Sequence, residues 1–308
     1  MRERRDHVEY VAVEKSTSTA VGRWVNELVS EGYCVIPRLI PSTTVGRLDA
    51  DLACDFAQTP FCTGAFYGER TKRFGRLLVR SPVAAELVQN DLVLAVVRRV
   101  LAPWCDTIQL NLTQAVALHP GAAPQLPHRD QDMWRAAIGE TEYLVNVMWP
   151  FTRYTSANGA TVIWPRSHGL RALNPEPPNG EFAVELEPGS ALLFLGSTLH
   201  AAGGNASNEV RRGAIVSYCL GWLKPYENQW LAYPPHVARH FSRELSELVG
   251  YVQHRPNLGN YEGQCPSILL RGEPLGRIGA VDALRPDQEQ MIAEFVRHQN
   301  WPTATRAG

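Results

Sequence analysis

No stretch of this sequence is long and apolar enough to form a transmembrane helix, so a helical membrane protein is not expected. Charge of one sign is lacking too: 30 Lys and Arg stand against 31 Asp and Glu, for a formal net charge of −1. Without a long basic run, neither nucleic acid nor an anionic membrane is suggested as a partner. The six cysteines, Cys34, Cys54, Cys62, Cys105, Cys219 and Cys265, are scattered and form no C-x-x-C pair. In a chain of this length they read as reduced, mostly buried thiols. The segment Met1-Arg2-Glu3-Arg4-Arg5-Asp6 leads into no apolar core of a secretory signal. The expected location is therefore the reducing cytoplasm. No internal repeat or low-complexity segment is found. What is present is ordinary globular material, 308 residues with 44% hydrophobic and 20% charged, enough for a sizeable core.

The chain changes texture near Pro103. Before it, periods are helical. Val21, Trp24, Val25 and Leu28 fall at i, i+3, i+4 and i+7, and Gly32 is placed to end that helix. Tyr33 to Ile36 reads as a short buried strand. Ser42 is expected to cap a second helix with Val45, Leu48, Leu52 and Phe56 inward, and Ser81-Pro82 to open a third through Leu87, Val88, Leu92, Val96 and Val100. From Pro103 to about Trp222 short apolar runs alternate with Gly, Pro and Asn turns: Ile108 to Leu118, Tyr143 to Trp149, Ala160 to Trp164, Ala191 to Leu195, and Gly213 to Leu220. This spacing predicts an all-β sandwich or jelly roll. Pro177, Pro178 and Gly180 mark a loop, residues 251–275 read as a surface excursion, and Pro286 begins a last helix striped by Met291, Ile292 and Phe295. The expected architecture is one mainly β domain over 1–308: a helical layer over about 18–101, a jelly-roll core over about 103–224, and a C-terminal excursion with a helix over 225–308.

Chemistry concentrates in Gln125-Leu126-Pro127-His128-Arg129-Asp130-Gln131-Asp132-Met133-Trp134. In an extended segment His128 and Asp130, at i and i+2, point to one side while Arg129 turns away. An imidazole and a carboxylate on one face supply two thirds of a facial triad, the pattern of non-haem iron with positions left open. The other third is offered downstream. A Pro188-Gly189 turn feeds an apolar strand that delivers His200 at its far end. Beyond it Arg211 and Arg212 open the next strand, where a guanidinium can grip a carboxylate through two parallel bonds.

These strings, with Asn158-Gly159-Ala160-Thr161, Pro165-Arg166-Ser167-His168, Gly221-Trp222-Leu223 and Glu227-Asn228-Gln229, resemble the phytanoyl-CoA dioxygenase-like branch of the iron(II)/2-oxoglutarate oxygenases. The resemblance covers most of the chain and is closest to members that tailor natural products. It implies a double-stranded β-helix of the jelly-roll, cupin-like kind, wrapped by helices. It implies His128, Asp130 and His200 as iron ligands, Arg212 on the distal carboxylate of 2-oxoglutarate, and Thr161 and Gln125 as further contacts to that cosubstrate. The implied cofactors are Fe(II), 2-oxoglutarate and O₂, with succinate and CO₂ released as a substrate C–H bond is oxidised. No catalytic residue beyond the ligands is required. Related halogenases lack the carboxylate ligand, so Asp130 favours oxygenation.

Bland readings stand beside these. His200 can be a core histidine, Arg212 a surface ion pair, Thr161 an ordinary strand residue and Gln125 a polar residue before a strand; the register after the arginine pair favours Arg212, with Arg211 the alternative if the strand is shifted by one. His119 and His168 lie in turns and are assigned no metal role. Arg73, within Arg70-Thr71-Lys72-Arg73, is a candidate contact to substrate or cosubstrate, or part of a solvated charge run. Trp134 is a candidate pocket wall, or core. A zinc hydrolase or a non-catalytic jelly-roll binding protein would use similar ligands. The expected substrate is a free, largely apolar small molecule in secondary metabolism, with an acyl-CoA as the alternative. A homodimer is left open.

Overall fold

The computed structural model describes residues 20–134, 137–174, 178–273 and 275–299. Its centre is a pair of antiparallel sheets. The strands are β1 (Tyr33–Ile36), β2 (Thr71–Phe74), β3 (Ile108–Leu118), β4 (Leu144–Pro150), β5 (Thr161–Ile163), β6 (Phe182–Ala183), β7 (Ala191–Leu195), β8 (His200–Ala202) and β9 (Arg211–Leu220). The larger sheet has the order β1-β7-β4-β9-β3-β2, and the smaller one β6-β5-β8. A bridge from His128 to His200 extends the smaller sheet. Two facing antiparallel sheets with non-sequential neighbours form the jelly roll that the strand spacing predicts.

Registry decides which side chains see the space between the sheets. Along β9, Ser217, Ile215 and Gly213 pair with Asn146, Met148 and Pro150 of β4 and with Leu112, Gln114 and Val116 of β3. Paired residues share a face. That face looks toward the smaller sheet. The alternate residues Ala214, Val216 and Tyr218, with Val145, Val147 and Trp149 of β4, join the main hydrophobic core against the helices. Tyr218 reaches through that layer to donate its hydroxyl to Val88 O at 2.6 Å.

The helical layer comprises α1 (residues 20–31), α2 (Ser42–Asp51), α3 (Ala53–Gln58), α4 (Leu77–Arg80), α5 (Ala84–Val88) and α6 (Asp91–Leu101). Val45, Leu48, Leu52 and Phe56 are buried as their spacing predicts. Two local readings need correction. Ser42 lies inside α2, whose cap position is Pro41 without a side-chain cap bond. The third helix is two helices, because Asn90 leaves helical geometry and accepts a bond from Val93 N at 3.2 Å, which starts α6 anew. Strand β2 was not foreseen. Its sequence Thr-Lys-Arg-Phe looks like a charge run, yet it forms the edge strand beside β3, a place where charged residues are favoured.

Beyond β9 come α7 (Gln229–Ala232), α8 (Pro235–Ala238), α9 (Arg243–Leu248) and α10 (Pro286–His298). Residues 251–275 are mostly turns with one 3₁₀ segment, Pro266–Arg271. Helix α10 starts at Pro286 as expected. Its stripe of Met291, Ile292 and Phe295 is exposed, at 67%, 49% and 64%, so it does not pack on the described core. The Pro177 end of the expected loop lies outside the described residues. No helix among the described residues is long and apolar enough to cross a membrane.

Candidate metal centre and its cavity

The extended segment after Gln125 runs beside β8. Gln125 N donates to Ala202 O, and His128 and His200 exchange backbone bonds at 2.9 and 3.0 Å. This antiparallel bridge sets the two imidazoles side by side, with ring centroids 4.4 Å apart. Asp130 then opens a 3₁₀ turn, Asp130–Met133, which swings its carboxylate toward both rings. One ligand atom from each of His128, Asp130 and His200 lies within 4.8 Å of the others.

Hydrogen bonds fix which imidazole nitrogen faces the centre. His128 Nδ1 lies 2.8 Å from Leu126 O, and His200 Nδ1 lies 3.0 Å from Thr198 O. A carbonyl can only accept, so each Nδ1 carries the proton and each Nε2 keeps a lone pair. Those Nε2 atoms stand 3.5 and 3.6 Å from the two oxygens of Asp130. Burial lowers the pKa of His200 and favours its neutral, ligating form. Burial alone would raise Asp130, but the facing imidazoles and the Asn146 amide outweigh it and hold the carboxyl at about 2. Asn146 Nδ2 donates to Asp130 Oδ2 at 2.9 Å. Two imidazoles oriented by carbonyls, with an ionised carboxylate held by an amide, fit a divalent metal with open positions.

The triad opens into a cavity of about 390 Å³ between the sheets. Gln125 and Thr161 line it. Gln125 Oε1 also accepts from Ala202 N at 3.3 Å. Arg73 lines it from β2. Its Nη1 donates to Gln114 Oε1 at 3.1 Å, its guanidinium lies 5.3 Å from the Tyr67 ring centre, and its Nε has no partner. Burial, and then neighbouring Arg211, depress the pKa of Arg73.

Two expectations are not met. Arg212 does not enter the cavity. It shares its face with Ala214 and Val216, and its Nη2 pairs with Asp49 Oδ2 at 2.7 Å in the helical layer. Arg211, on the Ile215 face, lines the cavity instead. It is 2% exposed, lies 4.3 Å over the Tyr154 ring, and leaves Nε and Nη1 without partners. The other correction concerns Trp134. It packs against Tyr143 and donates Nε1 to Lys224 O at 3.0 Å, away from the cavity lining.

Sequence reasoning also missed Asn146, Phe66, Tyr67 and Tyr226. Asn146 carried a signal, as the one polar residue within Leu144–Pro150. Phe66 packs edge-on against His128 at 4.9 Å. Tyr67 and Tyr226 join hydroxyl to hydroxyl across the cavity mouth. These three sit in loops with no readable period. His168 is structural as expected: its Nε2 lies 2.8 Å from Val29 O.

The family model described as phytanoyl-CoA dioxygenase (PhyH) matches residues 28–213. Dioxygenase FrzG of a Cladobotryum species is 32% identical over 229 residues, covering 68% of this chain and 69% of that protein. Multifunctional dioxygenase ausE of Aspergillus calidoustus is 28% identical over 239 residues, covering 72% and 80%. Among solved structures, the non-heme alpha ketoglutarate dependent epimerase SnoN from nogalamycin biosynthesis aligns with a TM-score of 0.55 at 17% identity, over 68% of this chain and 87% of that one. HygX from Streptomyces hygroscopicus, solved with nickel and 2-oxoglutarate bound, aligns with a TM-score of 0.52 at 15% identity, over 67% and 89%. At such identities the two structures establish the jelly-roll fold alone.

Proposed function

We propose, from the premise that this chain belongs to the phytanoyl-CoA dioxygenase family and is an iron- and 2-oxoglutarate-dependent dioxygenase, that it oxidises a free, largely apolar small molecule of secondary metabolism. Hydroxylation, desaturation and oxidative rearrangement of such a molecule all fit the site. The observation that carries the reading is the converged triad of His128, Asp130 and His200 facing a cavity with buried, unsatisfied guanidinium nitrogens.

His128, Asp130 and His200 would hold Fe(II). Bound there with 2-oxoglutarate, the metal would activate O₂ for oxidation of a substrate C–H bond, as succinate and CO₂ leave. The chain's own residues do the rest. Arg211 supplies a fixed, dry cation for the distal carboxylate of 2-oxoglutarate, and Arg73 adds positive charge in the same cavity. Thr161 and Gln125 border this anion site as hydrogen-bonding groups. Asn146 fixes the rotation of the Asp130 carboxylate. The apolar part of the lining, including Leu112, Met148, Phe194 and Ile215, excludes water, and Phe66 and Met133 extend that surface toward the mouth.

An apolar substrate is supported by this lining. Neutral overall charge gives no long-range attraction for the phosphates of coenzyme A. The test is anaerobic reconstitution with Fe(II) and 2-oxoglutarate, followed by exposure to O₂ with terpenoid, alkaloid and polyketide scaffolds beside phytanoyl-CoA. Succinate release coupled to an oxidised free scaffold is expected. Coupling with the thioester alone overturns the substrate reading and returns the acyl-CoA hydroxylase alternative. Absence of 2-oxoglutarate turnover with iron bound would favour a non-catalytic binding protein.

A further inference from the structure

A second and larger cavity, about 640 Å³, lies beside the C-terminal half of the fold. Its walls include Trp222, Trp230, Leu223 and Leu258. The two tryptophans are 41% and 51% exposed, yet their indole N–H groups are already used. Trp222 Nε1 donates to Trp104 O at 2.8 Å, and Trp230 Nε1 to Gly250 O at 3.2 Å. What they offer the cavity is therefore flat apolar surface.

The two cavities lie end to end along one face of β3. A bulge between Leu110 and Leu112 makes this so. Gln109 pairs with Cys219, and Leu112 pairs with Ser217. Cys219 and Ser217 are two apart on β9 and share a face, so Gln109 and Leu112 share it as well. Leu112 lines the metal cavity and Gln109 the second one, about 7 Å further along the sheet. The extra residue in the bulge is Asn111, and its Oδ1 accepts from Tyr226 N at 2.7 Å. Tyr226 lines both cavities. One side chain thus divides them, held on one side by the Tyr67 hydroxyl and based on a bulge in the strand common to both.

We propose that this second cavity receives the distal part of the substrate, a flat aromatic or polycyclic ring. The portion to be oxidised extends past Tyr226 to the metal centre. This proposal rests on the dioxygenase reading and adds a binding subsite to it. It makes the substrate longer than the 390 Å³ metal cavity alone would hold beside its cosubstrate.

The test uses the iron- and 2-oxoglutarate-loaded protein, kept anaerobic, with 6-bromo-2-naphthol as probe. Crystals soaked with the probe should give a bromine anomalous peak between Trp222 and Trp230. In solution, naphthol fluorescence should report binding roughly tenfold weaker in Trp230→Ala, from loss of one stacking wall and its buried area. Trp230→Phe should recover most of it. In a parallel assay with O₂ admitted, substrate-independent succinate release should be the same in all three proteins. A peak confined to the metal cavity, no peak at all, or equal affinity in Trp230→Ala each overturns the subsite and leaves the dioxygenase reading intact. Failure of the unaltered protein to bind iron and 2-oxoglutarate would instead count against that reading.

Discussion

Arg211 and Arg212 leave β9 on opposite faces of the larger sheet. Arg211 is sealed between the sheets over Tyr154, while Arg212 pairs with Asp49 in the helical layer. Adjacent residues of identical chemistry thus acquire different tasks from the period of two alone.

This arrangement predicts separable losses. Arg211→Ala should raise the 2-oxoglutarate requirement at least a hundredfold, since removing one partner of a desolvated, charge-assisted pair costs about 3 kcal/mol or more. Arg212→Ala should leave that requirement nearly unchanged and cost about 1 kcal/mol of stability, because its ion pair is partly solvated. Succinate release against 2-oxoglutarate concentration, alongside thermal melts, checks both. The reverse pattern would mean that β9 is shifted by one residue.

Metal affinity should depend on Asn146 as well as on the triad. Asp130→Ala should abolish turnover and weaken iron binding while the fold is kept. Asn146→Leu keeps the volume but removes the amide that orients Asp130. Loss of such a supporting bond is worth roughly 10–100-fold in metal affinity. Anaerobic Fe(II) titration measures it, and a variant within twofold of the unaltered protein would show that the bond does not orient the ligand.

The strands and the His-Asp-His cluster were legible in the sequence because both obey short-range rules. Ile108 to Leu118 and Ala191 to Leu195 are bounded where their apolar runs end. His128 and Asp130 are tied by local geometry. His200 was legible from its place after an apolar strand, although it begins a strand of the other sheet. The arginine was misread by one residue because Gly213, Ala214 and Ile215 are all small or apolar, so their composition does not mark which face is inward. Only pairing with β3 and β4 marks it. Strand β2 escaped because an edge strand rich in charge looks like solvated coil. The mouth residues Phe66, Tyr67 and Tyr226 escaped because loops carry no period, and their meeting depends on contacts more than a hundred residues apart.

Glu142 predicts a pH dependence of stability. Its carboxyl is buried against Ser197, whose Oγ donates at 2.5 Å. Burial pushes its pKa up to about 7, although hydrogen bonds from Ser197 and nearby backbone oppose the rise. A folded-state pKa above the unfolded value means the folded protein holds the proton more tightly. The associated stability is present at acidic pH and is lost as pH rises from about 4.5 toward 7. Glu142→Gln keeps an acceptor for Ser197 and cannot ionise. Its denaturation midpoint should change less than that of the unaltered protein between pH 5 and about 7.5. Parallel curves would place the ionisation elsewhere.

Substrate position should be governed by the apolar rim, with Phe66 the most informative member. It touches the His128 ring edge-on, is 47% exposed, and lines the cavity near its mouth. It is neither a metal ligand nor a contact to the guanidinium groups. Removing the ring should therefore leave 2-oxoglutarate binding within about twofold while loosening the substrate, because a displacement of about 1 Å at the reacting centre is enough to redirect or waste oxidation. Phe66→Ala is expected to raise the ratio of succinate to oxidised product and broaden the product mixture, whereas Phe66→Leu, which keeps apolar volume, should restore part of the coupling. Quantifying succinate and products in the same reaction separates these effects. Unchanged coupling in Phe66→Ala, with an unchanged product mixture, would remove the rim from substrate positioning and shift that role to the inner wall formed by Leu112, Met148 and Phe194.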